Sequence, residues 1–245
     1  MTNESLATYA NYALASAALV ITVAMLCYAF YLSQAVPVRE QAEVEAKVPA
    51  TVGGGEGDAT AEGGAEPAET SARARKAAGI AGSMSWLGAF FLLVSFACRG
   101  FAVERFPLGN LFEFSVVGCL FAVGTYSVVS LRRDVRWLGL FVTGFVVLVL
   151  MVAQTAWYVP ADELVPSLKS YWLPIHVTVA TLAVGICVVA AIVSALYLLS
   201  DRQAISPRFW AKLPPAPQLE KLSYALHIIA FPLWTFTIIA GAIWA

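Results

Sequence analysis

Six long apolar segments constrain this chain more than any other feature of its sequence. They cover approximately residues 9–33, 82–99, 111–131, 137–159, 174–200 and 222–245. Each is long enough to cross the hydrocarbon core of a bilayer as a helix, which takes about 17–25 residues. Because only helices and closed barrels satisfy their backbone hydrogen bonds inside lipid, the sequence predicts an all-α fold, a polytopic transmembrane helical bundle.

The composition supports a membrane location and argues against other classes of protein. Hydrophobic residues make up 60% of the chain and charged residues 13%, whereas soluble domains carry about 25% charged residues. The formal net charge of −1 gives no reason to expect a nucleic-acid partner, and we predict none. The lipid bilayer is the partner that the composition implies.

The distribution of Lys and Arg predicts the orientation of the bundle. Twelve of the 15 basic residues lie in the connections after the first, third and fifth spans. The positive-inside rule places these connections in the cytoplasm, so both termini are predicted to be non-cytoplasmic. No basic residue precedes the first span, so we predict that residues 1–33 are a retained anchor rather than a cleaved signal peptide.

The remaining chain divides by composition. Residues 34–81 are rich in Gly, Ala and Glu and include three consecutive glycines at 53–55, which predicts a disordered cytoplasmic linker. Residues 82–245 form the predicted five-span core. Cys27, Cys98, Cys119 and Cys187 all fall inside spans without a Cys-x-x-Cys motif, so we interpret them as small buried side chains.

The leading candidate site is the aromatic approach to the fifth span, which contains Tyr171, Trp172 and His176. An ionisable side chain at the start of a membrane helix is a functional candidate by default, because its burial in lipid is unfavourable. The aromatic belt that lines many membrane surfaces is an alternative explanation for Tyr171 and Trp172. His176 is therefore the residue of this segment with the strongest functional signal.

His227 is the other histidine of the chain and lies in the sixth span, near the opposite surface. Helical rise places the two histidines about 20 Å apart in depth. A metal–imidazole bond is only about 2 Å long, so the two histidines cannot share one metal ion. We predict that His227 is a packed or water-satisfied polar residue.

Asn110 and Glu113 have the three-residue spacing of a reciprocal helix cap at the start of the third span. In such a cap the Asn side chain bonds the Glu backbone N–H, and the Glu carboxylate bonds the Asn backbone N–H. The alternative is that Glu113, a carboxylate near a membrane surface, contacts a partner or the edge of a cofactor. The spacing alone favours the cap.

Three segments in this order resemble a known family over most of residues 82–245. They are Pro107-Leu108-Gly109-Asn110-Leu111-Phe112-Glu113-Phe114, Tyr171-Trp172-Leu173-Pro174-Ile175-His176-Val177, and Phe231-Pro232-Leu233-Trp234 followed by Gly241-Ala242-Ile243-Trp244-Ala245. The chain is similar to the haem-handling membrane proteins of system II cytochrome c biogenesis, of the CcsA or ResC type.

The resemblance implies that haem b is held as a substrate on the non-cytoplasmic face for covalent attachment to apocytochrome c. His176 then matches an axial iron ligand, and Trp172, Asn110 and Glu113 are candidates for the haem-side surface. It assigns no catalytic residue. The implied partners are a companion membrane protein with a large external domain, of the CcsB or ResB type, and a thioredoxin-like thiol reductant. The implied location is a bacterial plasma membrane or a thylakoid-type membrane.

One departure from the family pattern limits this interpretation. A tryptophan-rich segment and a second external histidine are expected after Ala245, where the sequence stops. The resemblance therefore implies an incomplete family member, a component of a holocytochrome c synthase (haem lyase) that is incomplete alone. The alternative is a non-enzymatic membrane scaffold or transport subunit without haem, which would tolerate His176→Ala.

Overall fold

The computed structural model describes residues 3–34, 72–161, 172–202 and 207–244. The regular structure in these ranges is helical, which confirms the all-α prediction for them. In chain order the helices are α1 (Glu4–Gln34), α2 (Ala72–Ala102), α3 (Leu111–Arg132), α4 (Arg136–Ala156), α5 (Trp172–Asp201), α6 (Pro207–Trp210) and α7 (Ala216–Trp244).

Six of the helices in the described ranges are long and apolar enough to cross a membrane, namely α1 to α5 and α7. This confirms the six predicted spans. The short helix α6 lies in the connection between α5 and α7. The non-cytoplasmic placement of both termini stays a prediction that rests on the basic residues.

Helix α2 begins at Ala72, earlier than the span predicted to begin at residue 82. The prediction of a disordered linker is therefore wrong for residues 72–81, and residues 35–71 lie outside the described ranges. The early turns of α2 are rich in alanine, which has the highest intrinsic helix propensity. The helix thus extends beyond its most apolar part.

The helices pack closely where their facing residues are small. Helix α1 packs along α2 and also contacts α4, while α3 contacts α2, α4 and α5, and α7 packs mainly against α5. Ala17 and Ala24 of α1 and Ala81 of α2 are fully buried. Small side chains let helix backbones approach each other in a membrane, where the hydrophobic effect does not drive helix association.

The described connections show which helix ends lie together. At one end, the backbone N–H of Asn3 donates to the carbonyl oxygen of Ala102 at 2.9 Å, which joins the start of α1 to the end of α2. At the opposite end, the Lys212 ammonium donates to the carbonyl oxygens of Leu32 at 3.2 Å and Ser33 at 2.6 Å. We call the first the Glu113 end, because Glu113 lies in the first turn of α3 there, and the second the Asp134 end, because Asp134 lies in the turn between α3 and α4 there. Helix α7 begins at the Asp134 end and finishes at the Glu113 end.

Candidate functional site

The turn between α2 and α3 folds back over the start of α3. Its residue Glu104 has a φ of 50°, in the left-handed region that non-glycine residues rarely adopt. The Arg105 backbone N–H donates to the Gly100 carbonyl oxygen at 3.1 Å. A Cβ atom at Gly100 would lie 3.2 Å from the Arg105 carbonyl oxygen and 3.3 Å from Pro107 Cδ, so a glycine permits this close approach.

The turn brings Arg105, and the end of α2 brings Arg99, to the Glu113 carboxylate. The Glu113 side chain has 0% exposure. Glu113 Oε1 accepts hydrogen bonds from Arg99 Nε at 2.8 Å and Arg105 Nη2 at 3.1 Å. Glu113 Oε2 accepts from Arg105 Nη1 at 3.0 Å and from the Gly109 backbone N–H at 2.8 Å. Four bonds fill the acceptor positions of a carboxylate.

The space beside this ion cluster is too small for a ligand. It has a volume of about 10 Å³ and is lined by Arg99, Phe112 and Glu113 among others. A cavity of roughly 10–15 Å³ holds at most one water molecule. The cluster of Arg99, Arg105 and Glu113 is therefore a packed part of the fold.

The same cluster joins several elements at the Glu113 end. Arg99 Nη2 donates to the Val159 carbonyl oxygen at 2.6 Å, and its guanidinium carbon lies 5.0 Å from the centre of the Phe112 ring. The Phe112 ring packs edge-on against Tyr158, with ring centres 5.3 Å apart, and the Tyr158 hydroxyl accepts from Asn11 Nδ2 at 3.1 Å. Contacts of α1, α2, α3 and the segment after α4 thus converge here.

The helix cap predicted from spacing is half correct. Asn110 Oδ1 accepts from the Glu113 backbone N–H at 2.9 Å, which confirms Asn110 as the N-cap of α3. The reciprocal bond is wrong, because the Glu113 carboxylate accepts from Gly109 and the two arginines instead. Hydrogen bonds between ionised groups are stronger than a bond to one neutral amide. Contact of Asn110 or Glu113 with a cofactor stays a prediction, and the filled carboxylate positions disfavour direct contact by Glu113.

Arg99 and Arg105 belong to this site but were not predicted as parts of it. Arg99 lies near the end of α2 and is 5% exposed. A charged residue inside an apolar helix is rare and usually paired. The position of Arg99 inside an apolar segment was therefore a signal in the sequence that could have identified it.

His176 lies in the second turn of α5, and its imidazole faces α7. A Cβ atom built on Gly241 of α7 would lie 3.1 Å from His176 Cε1 and 3.6 Å from His176 Nε2. The Nδ1 atom is buried and has no hydrogen-bond partner among the described residues. Because a buried polar atom without a partner is unfavourable, this imidazole retains capacity to bind that the Glu113 carboxylate lacks.

An aromatic side chain lies one helical turn before His176. The ring centre of Trp172 is 6.4 Å from that of Phe236 on α7, with a tilt of 60° between the ring planes. Trp172 is partly buried, and Tyr171 lies outside the described residues. Two elements, the start of α5 and the last turns of α7, therefore supply the surroundings of His176.

The fit of a bound metal to these surroundings depends on the ligands that the chain offers. Within the described ranges, no group of three His, Cys, Asp or Glu side chains gathers as a metal-ion site. A haem iron already has four ligands from its macrocycle and takes one or two axial ligands from protein. A single histidine such as His176 fits that requirement.

His227 has a different environment from His176. Its Nδ1 lies 2.9 Å from the Ser223 carbonyl oxygen, to which it donates, and the Ser223 hydroxyl is 2.6 Å from that of Ser194 on α5. The side chain is exposed rather than packed. His227 precedes Gly241 on the same helix by fourteen residues, or about 21 Å of helical rise. Because Gly241 contacts His176, the two imidazoles lie at different depths, as predicted.

Comparison with known proteins identifies a family that the chain matches. A family model described as "Cytochrome C assembly protein" matches residues 77–245. The cytochrome c biogenesis protein CcsA of Porphyra purpurea is 27% identical over 202 residues, which cover 63% of this chain and 61% of the relative. The protein of that name from Chlamydomonas reinhardtii is 30% identical over 150 residues, 58% of this chain and 41% of the relative.

A bacterial relative gives a similar result. The cytochrome c biogenesis protein CcsA of Synechococcus sp. (strain JA-2-3B'a(2-13)) is 28% identical over 203 residues, 57% of this chain and 57% of the relative. The chain thus spans 61% of the length of the Porphyra relative and less of the other two. No solved structure matches the chain.

Proposed function

The chain belongs to the cytochrome c assembly protein family, and we propose that it binds haem b at the Glu113 end of the bundle and presents it for attachment to apocytochrome c. The observation that carries this proposal is the imidazole of His176, whose buried Nδ1 has no partner among the described residues. His176 also lies within the region that the family model matches. Haem is the substrate in this proposal, and His176 is an axial ligand of its iron.

The other residues of the site have separate roles in this proposal. The rings of Trp172, one helical turn before His176, and Phe236 pair across α5 and α7, and we assign these rings to contact with the flat apolar face of the macrocycle. Asn110 and Glu113 fix the start of α3 through the cap and the ion cluster. We therefore assign Asn110 and Glu113 to the support of the haem-side surface rather than to haem contact.

The attachment chemistry needs little from the protein beyond orientation. An apocytochrome c offers two thiols in a Cys-x-x-Cys-His segment. Each thioether forms when a thiol sulfur adds to one carbon of a haem vinyl group and the thiol hydrogen goes to the other carbon. No group leaves and no net oxidation occurs. The chain binds the haem, orients it and excludes water, and we assign no residue as an acid or base.

The proposed partners follow from this chemistry and from the family. The apocytochrome thiols must be reduced to add to the vinyl groups, and we propose a thioredoxin-like reductant, the type that the family resemblance implies. A companion system II membrane protein with a large external domain, of the CcsB or ResB type, completes the proposed complex. The chain spans 61% of the Porphyra relative, and we propose holocytochrome c synthase activity for the complex as a whole.

We propose that the chain lies in a bacterial plasma membrane or a thylakoid-type membrane, the location that the family implies. The six membrane spans agree with a membrane location. The basic residues assign the Asp134 end to the cytoplasmic face by the positive-inside rule. The Glu113 end and His176 then face the compartment in which cytochromes c are assembled.

An absorption spectrum of the purified chain with added haem tests the proposal. The chain has two histidines, so His227→Ala is a matched control for His176→Ala. We expect a Soret band of bound haem in the parent and in His227→Ala, its loss in His176→Ala, and its recovery when imidazole is added. An unchanged band in His176→Ala would contradict the proposal. A parent without the band would favour the alternative, a membrane scaffold or transport subunit that does not bind haem.

A further inference from the structure

Gly241 of α7 lies directly against His176 of α5. A Cβ atom at Gly241 would lie 3.1 Å from His176 Cε1, closer than ordinary van der Waals contact, and 3.6 Å from His176 Nε2. Apart from the adjoining residues and backbone of α7 itself, these two ring atoms are the described heavy atoms within 4 Å of that position. Glycine is less favourable than alanine inside a helix, and here the space left by the missing side chain is occupied by the imidazole.

Other glycines of the bundle have different surroundings. Gly88 leaves space for the Ile21 side chain, and Gly185 lies against Phe121 and the backbone of the next residue. These two glycines let helices pack. Gly118 faces open space, with nothing within 4 Å of a built Cβ atom. Gly241 is thus distinguished by its contact with an ionisable side chain of the proposed haem site.

We propose that Gly241 is a positioning residue for His176. The absence of a side chain at this point of α7 lets the imidazole edge that carries Nε2 lie against the α7 backbone. The size of residue 241 therefore sets the tilt of the ring, and with it the direction in which Nδ1 points. Ligand-binding groups must be held within about 0.5 Å of their productive position. The inference rests on the proposed function, because the ligand that His176 is positioned to bind is haem iron.

The contact between His176 and Gly241 also connects the two helices. His176 lies near the start of α5 and Gly241 near the end of α7, and these helices pack along each other. A shift of α7 against α5 is therefore transmitted to the imidazole through this contact. The position of α7 and the geometry of iron ligation are coupled at Gly241.

Haem titration of full-length variants tests this inference. Gly241→Ala and Gly241→Val add one and three carbon atoms beside the imidazole, while Gly118→Ala and Gly118→Val make the same changes where space is open. We expect the haem dissociation constant to rise roughly threefold for Gly241→Ala and at least about tenfold for Gly241→Val, because the ring must move. Both Gly118 variants stay within about twofold of the parent, as surface changes usually do.

Two further readouts separate positioning from a general packing effect. The iron–imidazole stretching band in the resonance Raman spectrum of ferrous haem shifts in the Gly241 variants and not in the Gly118 variants. In a His176→Ala background rescued with imidazole, Gly241→Val changes haem affinity by less than about twofold, because the clashing ring is absent.

The outcomes distinguish this inference from the proposed function. If His176→Ala loses haem while both Gly241 variants keep parental affinity and the same stretching band, the inference is overturned and the proposed function stands. If His176→Ala keeps its haem, the proposed function fails and the inference fails with it. If Gly241→Val does not fold, Gly241→Ala decides, and an unchanged affinity in that variant overturns the inference.

Discussion

Two polar sites at the Glu113 end of the bundle differ in how fully their hydrogen-bonding atoms are satisfied. The Glu113 carboxylate has 0% exposure and accepts four hydrogen bonds. The His176 imidazole has a buried Nδ1 with no partner among the described residues. A satisfied buried network makes a structure rigid, whereas a buried polar atom without a partner calls for an explanation such as a bound group. We infer that the first site holds the fold and that the second binds the ligand.

Loss of the Glu113 carboxylate has the largest expected effect on stability. We expect Glu113→Ala to lower the free energy of unfolding by about 3–5 kcal/mol, because two guanidinium groups then lose their buried anion. Thermal unfolding can be followed with a thiol-reactive dye, since Cys27, Cys98, Cys119 and Cys187 all lie in helices.

A matched ion pair at the opposite end provides the control for this change. Asp134 lies 3.6 Å from Arg136, and both side chains are exposed. We expect Asp134→Ala to change the free energy of unfolding by less than about 0.5 kcal/mol, as for most exposed pairs. Equal losses of unfolding free energy in the two variants would show that the buried Glu113 cluster stabilises the protein no more than the exposed pair does.

A change between α3 and α5 tests whether the two sites are independent. A methyl group at Gly185 would lie 2.6 Å from Phe121 Cβ and 2.9 Å from the Ala122 backbone nitrogen. We expect Gly185→Ala to lower the free energy of unfolding by about 1–3 kcal/mol through overpacking. Haem affinity per folded chain should stay within about twofold of the parent.

Gly124→Ala is the control for this variant, because nothing lies within 4 Å of a Cβ atom at Gly124. It should be neutral or slightly stabilising, since alanine favours the helix. A tenfold loss of haem affinity in Gly185→Ala alone would argue that helix packing and ligand binding cannot be separated in this bundle.

The helix cap at Asn110 has a smaller expected effect. Asn110 Oδ1 accepts one backbone hydrogen bond, from Glu113 at 2.9 Å. We expect Asn110→Ala to lower the free energy of unfolding by about 1 kcal/mol, and Asn110→Ser to recover most of it, because serine also caps helices. Thermal unfolding of the three proteins measures this. Identical unfolding transitions would show that the Asn110 cap does not stabilise the protein.

Replacement of His176 has a small expected effect on stability without haem. Because Nδ1 makes no hydrogen bond with a described residue, His176→Ala should change the free energy of unfolding by less than about 0.5 kcal/mol. With haem at a hundred times its dissociation constant, the parent gains about 2.7 kcal/mol through binding. The variant gains none of this, and unfolding with and without haem measures the difference.

The six spans could be predicted because hydropathy reports directly on the ability to cross a membrane. The start of α2 at Ala72 could not be predicted in this way, because residues 72–81 continue the polar, alanine-rich composition of the preceding segment. Hydropathy marks where a helix enters lipid, not where the helix begins. Helix propensity acts on a shorter scale and is a weaker signal.

The candidate site could be predicted only where the signal was local. The Asn110 cap depends on a three-residue spacing that is visible in the sequence. The bonds of Arg105 to Glu113 depend on a turn with a left-handed residue at Glu104, which the sequence does not specify. The contact of His176 with Gly241 joins residues in separate helices, and the apolar patterns of two helices do not determine their register.

Isotope labelling of histidine tests the assignment of the iron ligand. In the His227→Ala variant, His176 is the remaining histidine of the chain. ¹⁵N-histidine in that variant therefore labels one imidazole. The iron–imidazole stretching band of bound ferrous haem is predicted to move to lower frequency on labelling. A band that does not move, or bound haem without such a band, would show that His176 is not the ligand.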